Sequence, residues 1–260
     1  MEIPFVKFEA NGNNYLLILD ECVNKNLHIG RLIEKMSNKN FGIGSDGALI
    51  LSNKYRPIPY VKIYNSDGSK ASLCVNGLRI VSKYLFDTKY KEKQKLKIKT
   101  DSGIYETMNT LNNIIVKVKI SNTFKEENYY FYGKKFHLYF LNIGNNHLYL
   151  INNGDIGYHF FKRTLGRHLC QHFNCNVGLI TPNNPNSFSI ITYEKGSKLT
   201  LSCGSNICGA TMLLKEIDKI NEDEEIEVET LGGLTTVQII HDEVLYCGKA
   251  RLVCKGTYYV

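Results

Sequence analysis

The chain repeats itself, and this repetition restricts its fold more than any local propensity does. Gly12-Asn13-Asn14 precedes an apolar run from Tyr15 to Leu19, and 132 residues later Gly144-Asn145-Asn146 precedes His147 and the run Leu148 to Ile151. Asn65, which closes Lys62-Ile63-Tyr64-Asn65, stands nine residues before Cys74, and Glu194, which closes Ile191-Thr192-Tyr193-Glu194, stands nine before Cys203. Thr100-Asp101-Ser102-Gly103 is matched 130 residues on by Thr230-Leu231-Gly232-Gly233. Gly and Asn cluster in turns in any case, but a cysteine at a fixed distance from a strand end is not a turn signal. The expected fold is therefore α/β in two pseudo-symmetric domains, two copies of one unit facing each other. The first copy is placed at 1–120 and the second at 121–248, with 249–260 returning to the first sheet.

The local pattern fills in this outline. Strands are predicted at Tyr15–Leu19, Val61–Tyr64, Leu96–Thr100, Ile114–Ile120, Phe136–Asn142, Ser187–Tyr193 and Ile226–Thr230. Helices are predicted at Ile29–Lys39, Asn76–Phe86, Phe160–His172 and Ile207–Ile217. Leu78, Val81, Tyr84 and Leu85 make an apolar stripe at helical spacing, as do Ile207, Ala210, Leu213, Leu214 and Ile217. The Asn-rich stretch Thr181–Ser187 is predicted as a loop.

Composition enters through the cysteines and the charge. The opening MEIPFVKFEANGNN lacks the apolar run of a secretory signal, and no segment nears the length of a membrane span, so a cytoplasmic chain is expected, away from membranes. There the eight cysteines stay reduced and read as core residues, metal ligands or nucleophiles before disulfides. The net charge of +7 is spread thinly. Its densest cluster is Lys89, Lys91, Lys93, Lys95, Lys97 and Lys99 with Glu92; the alternation from Lys95 to Lys99 reads as a strand with one solvated face, and no nucleic-acid partner is expected.

Cys74 and Cys203 each sit where a strand and turn give way to a helix. The first turn of a helix has unpaired backbone N–H groups and the positive end of the macrodipole. Both favour a thiolate, and the same N–H groups can grip a carboxylate. Two such sites related by pseudo-symmetry would set two thiols on opposite faces of one small molecule. One thiolate could remove an α-proton while the opposite thiol delivers another, inverting the centre, with the helix termini stabilising the enolate-like carboxylate. Cys22, Cys170, Cys175, Cys208, Cys247 and Cys254 read instead as small buried hydrophobes.

These residues resemble a known family. Asn65-Ser66-Asp67-Gly68-Ser69 leading to Cys74-Val75-Asn76-Gly77 is similar to the first catalytic motif of diaminopimelate epimerases, and Glu194-Lys195-Gly196 leading to Cys203-Gly204-Ser205 to the second. Gly12-Asn13, Gly42-Ile43-Gly44-Ser45-Asp46-Gly47, Gly144-Asn145-Asn146-His147 and Asn176-Val177-Gly178 extend the resemblance over most of the chain. It implies two α/β domains, each a curved sheet around a central helix, a homodimer, and two-cysteine catalysis with no pyridoxal or other cofactor. It further implies that His147 assists Cys74 and Glu194 assists Cys203, and that Asn13 and Glu194 contact the α-amino group of an amino-acid substrate. Asn76, Gly204 and Ser205 would offer N–H groups to its carboxylate, beside Val75 and Gly77 in the same motif. Asn65, Asn145, Asn176 and Lys195 would hold its far end.

Four positions depart from the family pattern: Val75 and Asn206 stand where Gly is usual, Asn146 replaces a Pro, and Lys195 replaces an Arg. Arg grips a carboxylate with a planar fork that Lys cannot reproduce. Diaminopimelate is the leading substrate, and another amino acid such as histidine the alternative. A duplicated amino-acid-binding protein without chemistry is the alternative of another class. His168, Cys170, His172 and Cys175 are dense but lack the paired spacing of a structural zinc site, so no metal is expected. Cys203 and Cys208 lack the redox spacing, and Gly42–Gly47 lacks the strand and acidic residue of a dinucleotide loop.

Overall fold

The computed structural model describes residues 1–24, 28–52, 57–120, 123–222 and 224–260. The chain divides into two compact units, Met1–Val116 with Cys247–Val260, and Lys117–Tyr246.

In the first unit, β1 (Glu2–Ala10) and β2 (Asn13–Leu19) form an antiparallel hairpin. Its two-residue turn, Asn11 and Gly12, has φ of 51° and 74°, which this residue pair tolerates and whose twist suits the strands. Helix α1 (Ile29–Ser37) crosses to β3 (Gly47–Ser52), parallel to β2. β4 (Tyr60–Asn65) runs antiparallel to β3, and the short β5 (Lys70–Ala71) antiparallel to β4. Helix α2 (Val75–Thr88) leads to β6 (Lys95–Thr100), parallel to β4, and β7 (Gly103–Asn109) and β8 (Ile114–Lys119) follow as an antiparallel meander.

The second unit repeats this plan pairing for pairing. After β9 (Lys125–Phe131), β10 (Lys134–Asn142) and β11 (Asn146–Ile151) are antiparallel. Helix α3 (Tyr158–Phe160), a π turn (Phe161–Leu165) and α4 (Gly166–Phe173) cross to β12 (Asn176–Asn184), parallel to β11. β13 (Ser187–Glu194) is antiparallel to β12, and β14 (Lys198–Thr200) to β13. Helix α5 (Gly204–Glu216) leads to β15 (Ile226–Thr230), parallel to β13, and then to β16 (Gly233–Ile240) and β17 (Glu243–Gly248). The last strand, β18 (Arg251–Tyr259), belongs to the first unit and pairs antiparallel with β1, as β9 pairs with β10.

Each unit has an outer helix, a sheet and an inner helix. Outer helix α1 buries Leu32, Ile33 and Met36 on Leu16, Ile18, Ala48 and Ile50. Outer helix α4 contributes Leu169 to a cluster with Leu148, Leu150, Val177 and Leu179. Inner helices α2 and α5 differ in kind. From Val75 to Ser82, and from Gly204 to Leu214, every residue is buried, as a helix enclosed by its own sheet requires. Helix α2 touches β1, β2, β3, β6 and β7, and α5 touches β11, β12 and β16, so each sheet curves around its central helix. Even the polar residues inside match. The Ser82 hydroxyl donates to the Leu78 carbonyl, and the Thr211 hydroxyl to the Ile207 carbonyl, which satisfies both without a partner from the sheet.

Two sequence expectations are corrected. The inner helices begin earlier than Asn76 and Ile207, at Val75 and Gly204, because the cysteines themselves are the cap residues. The stretch Thr181–Ser187 is not a loop: β12 continues to Asn184, pairing Thr181 with Ser189 and Pro182 with Phe188. Cross-strand pairing overrides the turn-like composition there, and Pro182 is tolerated where the register shifts just beyond it.

Candidate active site

Cys74 caps α2. Its backbone is extended, with φ −142° and ψ 107°, and the Gly77 N–H donates to its sulfur over 3.2 Å. A side chain at Gly77 would lie 2.9 Å from Leu49 and 3.3 Å from the Cys74 Cβ, so glycine is what lets the first helical turn close beneath the thiol. The Cys74 thiol also donates to the Tyr15 hydroxyl oxygen, 3.4 Å away on β2. Beside it the β1–β2 hairpin presents Asn13, only 7% exposed. Asn76 Nδ2 donates to Asn13 Oδ1, and Asn13 Nδ2 in turn to Asp46. The fully buried Arg79 holds Asn76 Oδ1 over 2.8 Å and Asn11 Oδ1 over 3.0 Å. Asn65, at the end of β4, donates to Ser69 across the turn that returns the chain to β5 and Cys74. Val75, the first helical residue, is buried.

Cys203 caps α5 in the same extended conformation, with φ −129° and ψ 110°. Its sulfur is 3.3 Å from the Ser205 hydroxyl, which is 3.1 Å from His147 Nε2. His147 Nδ1 is 2.8 Å from the Asn145 carbonyl, which can only accept, so Nδ1 carries the proton and Nε2 is the acceptor. The Asn176 amide donates to that same Nε2 over 3.4 Å. Burial lowers the His147 pKa to about 4 against the opposing pull of the Asn145 carbonyl, so the ring is neutral at pH 7. A thiol, a hydroxyl and a bare imidazole nitrogen thus stand in series, each able to pass a proton to the next. His147 also walls a cavity of about 510 Å³ within this unit, with Asn142, Asn146, Phe140 and Phe173.

The remaining expected residues surround this series. Glu194 ends β13 and accepts from Thr200 over 2.6 Å. The Lys195 N–H donates to Asn176 Oδ1 while its side chain is exposed. Gly204 and Ser205 open the first turn of α5 and are buried. Asn206, where the family has Gly, points away from this turn: its amide donates to Thr192 on β13, and its oxygen packs over Gly178. Contributors missed in the sequence include Tyr15, Arg79, Thr200 and the Ser205 hydroxyl. A charged residue inside the apolar stripe of α2 was a signal for Arg79. Nothing local marks the others.

Of the other cysteines, Cys254 is exposed and Cys22 and Cys247 are half-buried, so these three are not the small buried hydrophobes expected. Burial pushes the Cys175 thiol up to about 12 and raises Cys170 and Cys22 as well. His168, from the dense His/Cys cluster, is 2.7 Å from the Tyr129 hydroxyl and stacks on Phe131. Among the described residues no group of three or more His, Cys, Asp or Glu is gathered for a metal ion.

The family model described as diaminopimelate epimerase matches residues 5–121. The chain is 26% identical over 280 residues to a curated diaminopimelate epimerase from Alkaliphilus metalliredigens (strain QYMF), spanning 99% of this chain and 98% of the relative. It is 28% identical over 280 residues to another from Clostridium perfringens (strain 13 / Type A), spanning 98% and 99%. In fold it is similar to the crystal structure of a hydroxyproline epimerase from Agrobacterium vitis, with a TM-score of 0.75 over 98% of this chain and 92% of that one at 10% identity.

Proposed function

We propose, for a chain similar along nearly its whole length to diaminopimelate epimerases, that it is a pyridoxal-independent amino-acid epimerase that inverts an α-carbon between Cys74 and Cys203. The observation that supports this most is the duplication of one chemical arrangement. Each unit independently caps its buried central helix with a cysteine and sets a proton-handling side chain beside the thiol.

In this reading one cysteine acts as thiolate. Its lone pair takes the α-proton, and the electrons of the broken C–H bond pass into the substrate carboxylate. The opposite thiol then gives its proton to the other face of the carbon, leaving a thiolate there and an inverted centre. Backbone N–H groups of Asn76 on α2 and of Gly204 and Ser205 on α5 stabilise the charge that develops on the carboxylate, usually the largest contribution in such sites. The Gly77 N–H is engaged by its own thiol and serves the base instead. Asn13 and Glu194 bind the α-amino group, and Asn65, Asn145, Asn176 and Lys195 the far end. The family resemblance assigns His147 to Cys74; the hydrogen bonds inside its own unit support service to Cys203 through Ser205. Diaminopimelate, LL- to meso-, is the substrate favoured by the relatives' names; the resemblance implies a homodimer, and a cytoplasmic setting stands as the expectation read from the sequence alone.

Replacing Cys74 or Cys203 by Ser tests the mechanism. Serine is itself a good helix cap, so both variants should fold. Each should lose inversion by at least about a thousandfold, the scale of removing a group central to proton transfer, while retaining proton exchange on one stereoisomer. Wild-type inversion rates in both variants would refute it. Lys195 favours a second reading, a racemase of another amino acid such as histidine, because its exposed ammonium lacks the fork that a distal carboxylate suits. A panel of amino acids, each assayed for inversion, separates the two. A non-catalytic binding protein would instead bind members of the panel and invert none.

A further inference from the structure

The two halves differ at one matched position in a way that bears on the chemistry. Aligning Gly12-Asn13-Asn14 with Gly144-Asn145-Asn146 sets Tyr15 opposite His147, each near the start of the second strand of its hairpin. Their surroundings correspond too. Tyr15 lies beside Gly47 in the parallel β2–β3 pair, and His147 lies beside Asn176 in the parallel β11–β12 pair. In the second unit Asn176 bonds to the imidazole. In the first, Gly47 has no side chain, and a Cβ there would come within 2.7 Å of the Tyr15 ring. The glycine makes room for a ring larger than imidazole, and that ring carries its hydroxyl to 3.4 Å from Cys74 Sγ.

Resting on the proposal that Cys74 is a base in the reaction, we propose that Tyr15 is a positioning residue that holds the Cys74 sulfur and donates a hydrogen bond to it when it is a thiolate. The sulfur is then gripped from two sides, by the Gly77 N–H from the helix and by the phenol from the sheet. Tyr15 is 6% exposed, so little water competes for this contact. A phenol O–H is a hydrogen-bond donor, and a hydrogen bond to a charged acceptor is about twice as strong as one between neutral groups. The halves therefore tune their thiols by opposite means. Tyr15 gives a hydrogen bond to a sulfur that has lost its proton, whereas the neutral His147, through Ser205, accepts from a sulfur that still has one.

Alkylation of Cys74 by iodoacetamide across pH, followed by mass spectrometry of the Cys74 peptide, reads this directly and needs no substrate. Tyr15→Phe keeps the ring over Gly47 and removes only the hydroxyl. The pH midpoint for Cys74 should rise by about one unit, a loss of about tenfold in reactivity at neutral pH, while the exposed Cys254 reacts as before. Inversion should fall at neutral pH and recover as pH is raised, which a purely structural role for Tyr15 would not produce. A folded Tyr15→Phe protein with an unmoved Cys74 midpoint overturns the proposal. Site-specific 3-fluorotyrosine at position 15, a stronger donor in an otherwise native chain, should move the midpoint down, and an unchanged midpoint would overturn it equally. Failure here leaves the two-thiol mechanism standing, since that is judged by inversion in the Cys74→Ser and Cys203→Ser proteins.

Discussion

His147 carries a pH dependence whose sign can be worked out. Its folded pKa is near 4 against an ordinary 6.5, so between these values the unfolded chain binds a proton that the folded chain refuses. Stability from this residue is complete above pH 6.5 and is lost as pH falls toward 4, to a total of about 3 kcal/mol. Thermal melting should therefore fall more steeply on acidification from pH 7 to 4.5 for the native chain than for His147→Gln; parallel slopes would contradict the assignment. Much of the residue-scale chemistry was legible in the sequence. Cys74 and Cys203 stood out because each lies nine residues past a matched strand end and just before an apolar helical stripe. Their neighbours did not. Ser205 was expected to give only its backbone N–H, and nothing in the order of residues tells that its hydroxyl meets both a thiol and an imidazole 58 positions back. Such contacts are made by the packing of an inner helix on a sheet, which local sequence does not encode.

The inner helices set the tolerance of each unit to change. In the second unit α5 approaches β11 so closely that a Cβ at Gly209 would lie 2.1 Å from the Tyr149 hydroxyl and 2.6 Å from Ile143. Gly209→Ala should thus destabilise by about 1–3 kcal/mol, the usual cost of overpacking. The Tyr149 hydroxyl itself has no hydrogen-bond partner among the described residues, and burial keeps its pKa well above the ordinary phenol value. Tyr149→Phe should stabilise by about 1 kcal/mol by removing an unpaired buried donor. Combined, the two substitutions should cost less than their sum, because the hydroxyl is the nearest clash. Denaturant melts of the four proteins check all three statements, and strict additivity would argue against the packing described. At this scale the sequence located the four longer helices and seven strands, β2, β4, β6, β8, β10, β13 and β15, but not the buried β3 or its counterpart β12. It did not reveal β5 and β14, two and three residues long, whose pairing depends on a turn and a neighbouring strand rather than on propensity. The stripes on α2 and α5 suggested one buried face, whereas Val75–Ser82 of α2 and Gly204–Leu214 of α5 are buried on every side.

The duplication governs the whole molecule. Three matched anchors were enough to read it from sequence, because a repeat of a strand, turn, cysteine and helix copies a complete folding unit. The structure extends the match to every central strand pairing and to the hydroxyls inside the two inner helices. The copies have nonetheless diverged: tyrosine against histidine near the thiols, and arginine against cysteine one turn into the helix. A duplicated unit with unlike partners suits a reaction in which two equivalent thiols exchange the parts of base and acid while sitting in different electrostatic surroundings. The most direct test is the fate of solvent deuterium. In heavy water without pyridoxal phosphate, starting from LL- or from meso-diaminopimelate, the proposed substrate pair, early product should carry deuterium at the inverted carbon while recovered substrate carries none. Deuterium appearing equally in substrate and product from the start would mean that a single group handles both protons, and would contradict catalysis by the cysteine pair.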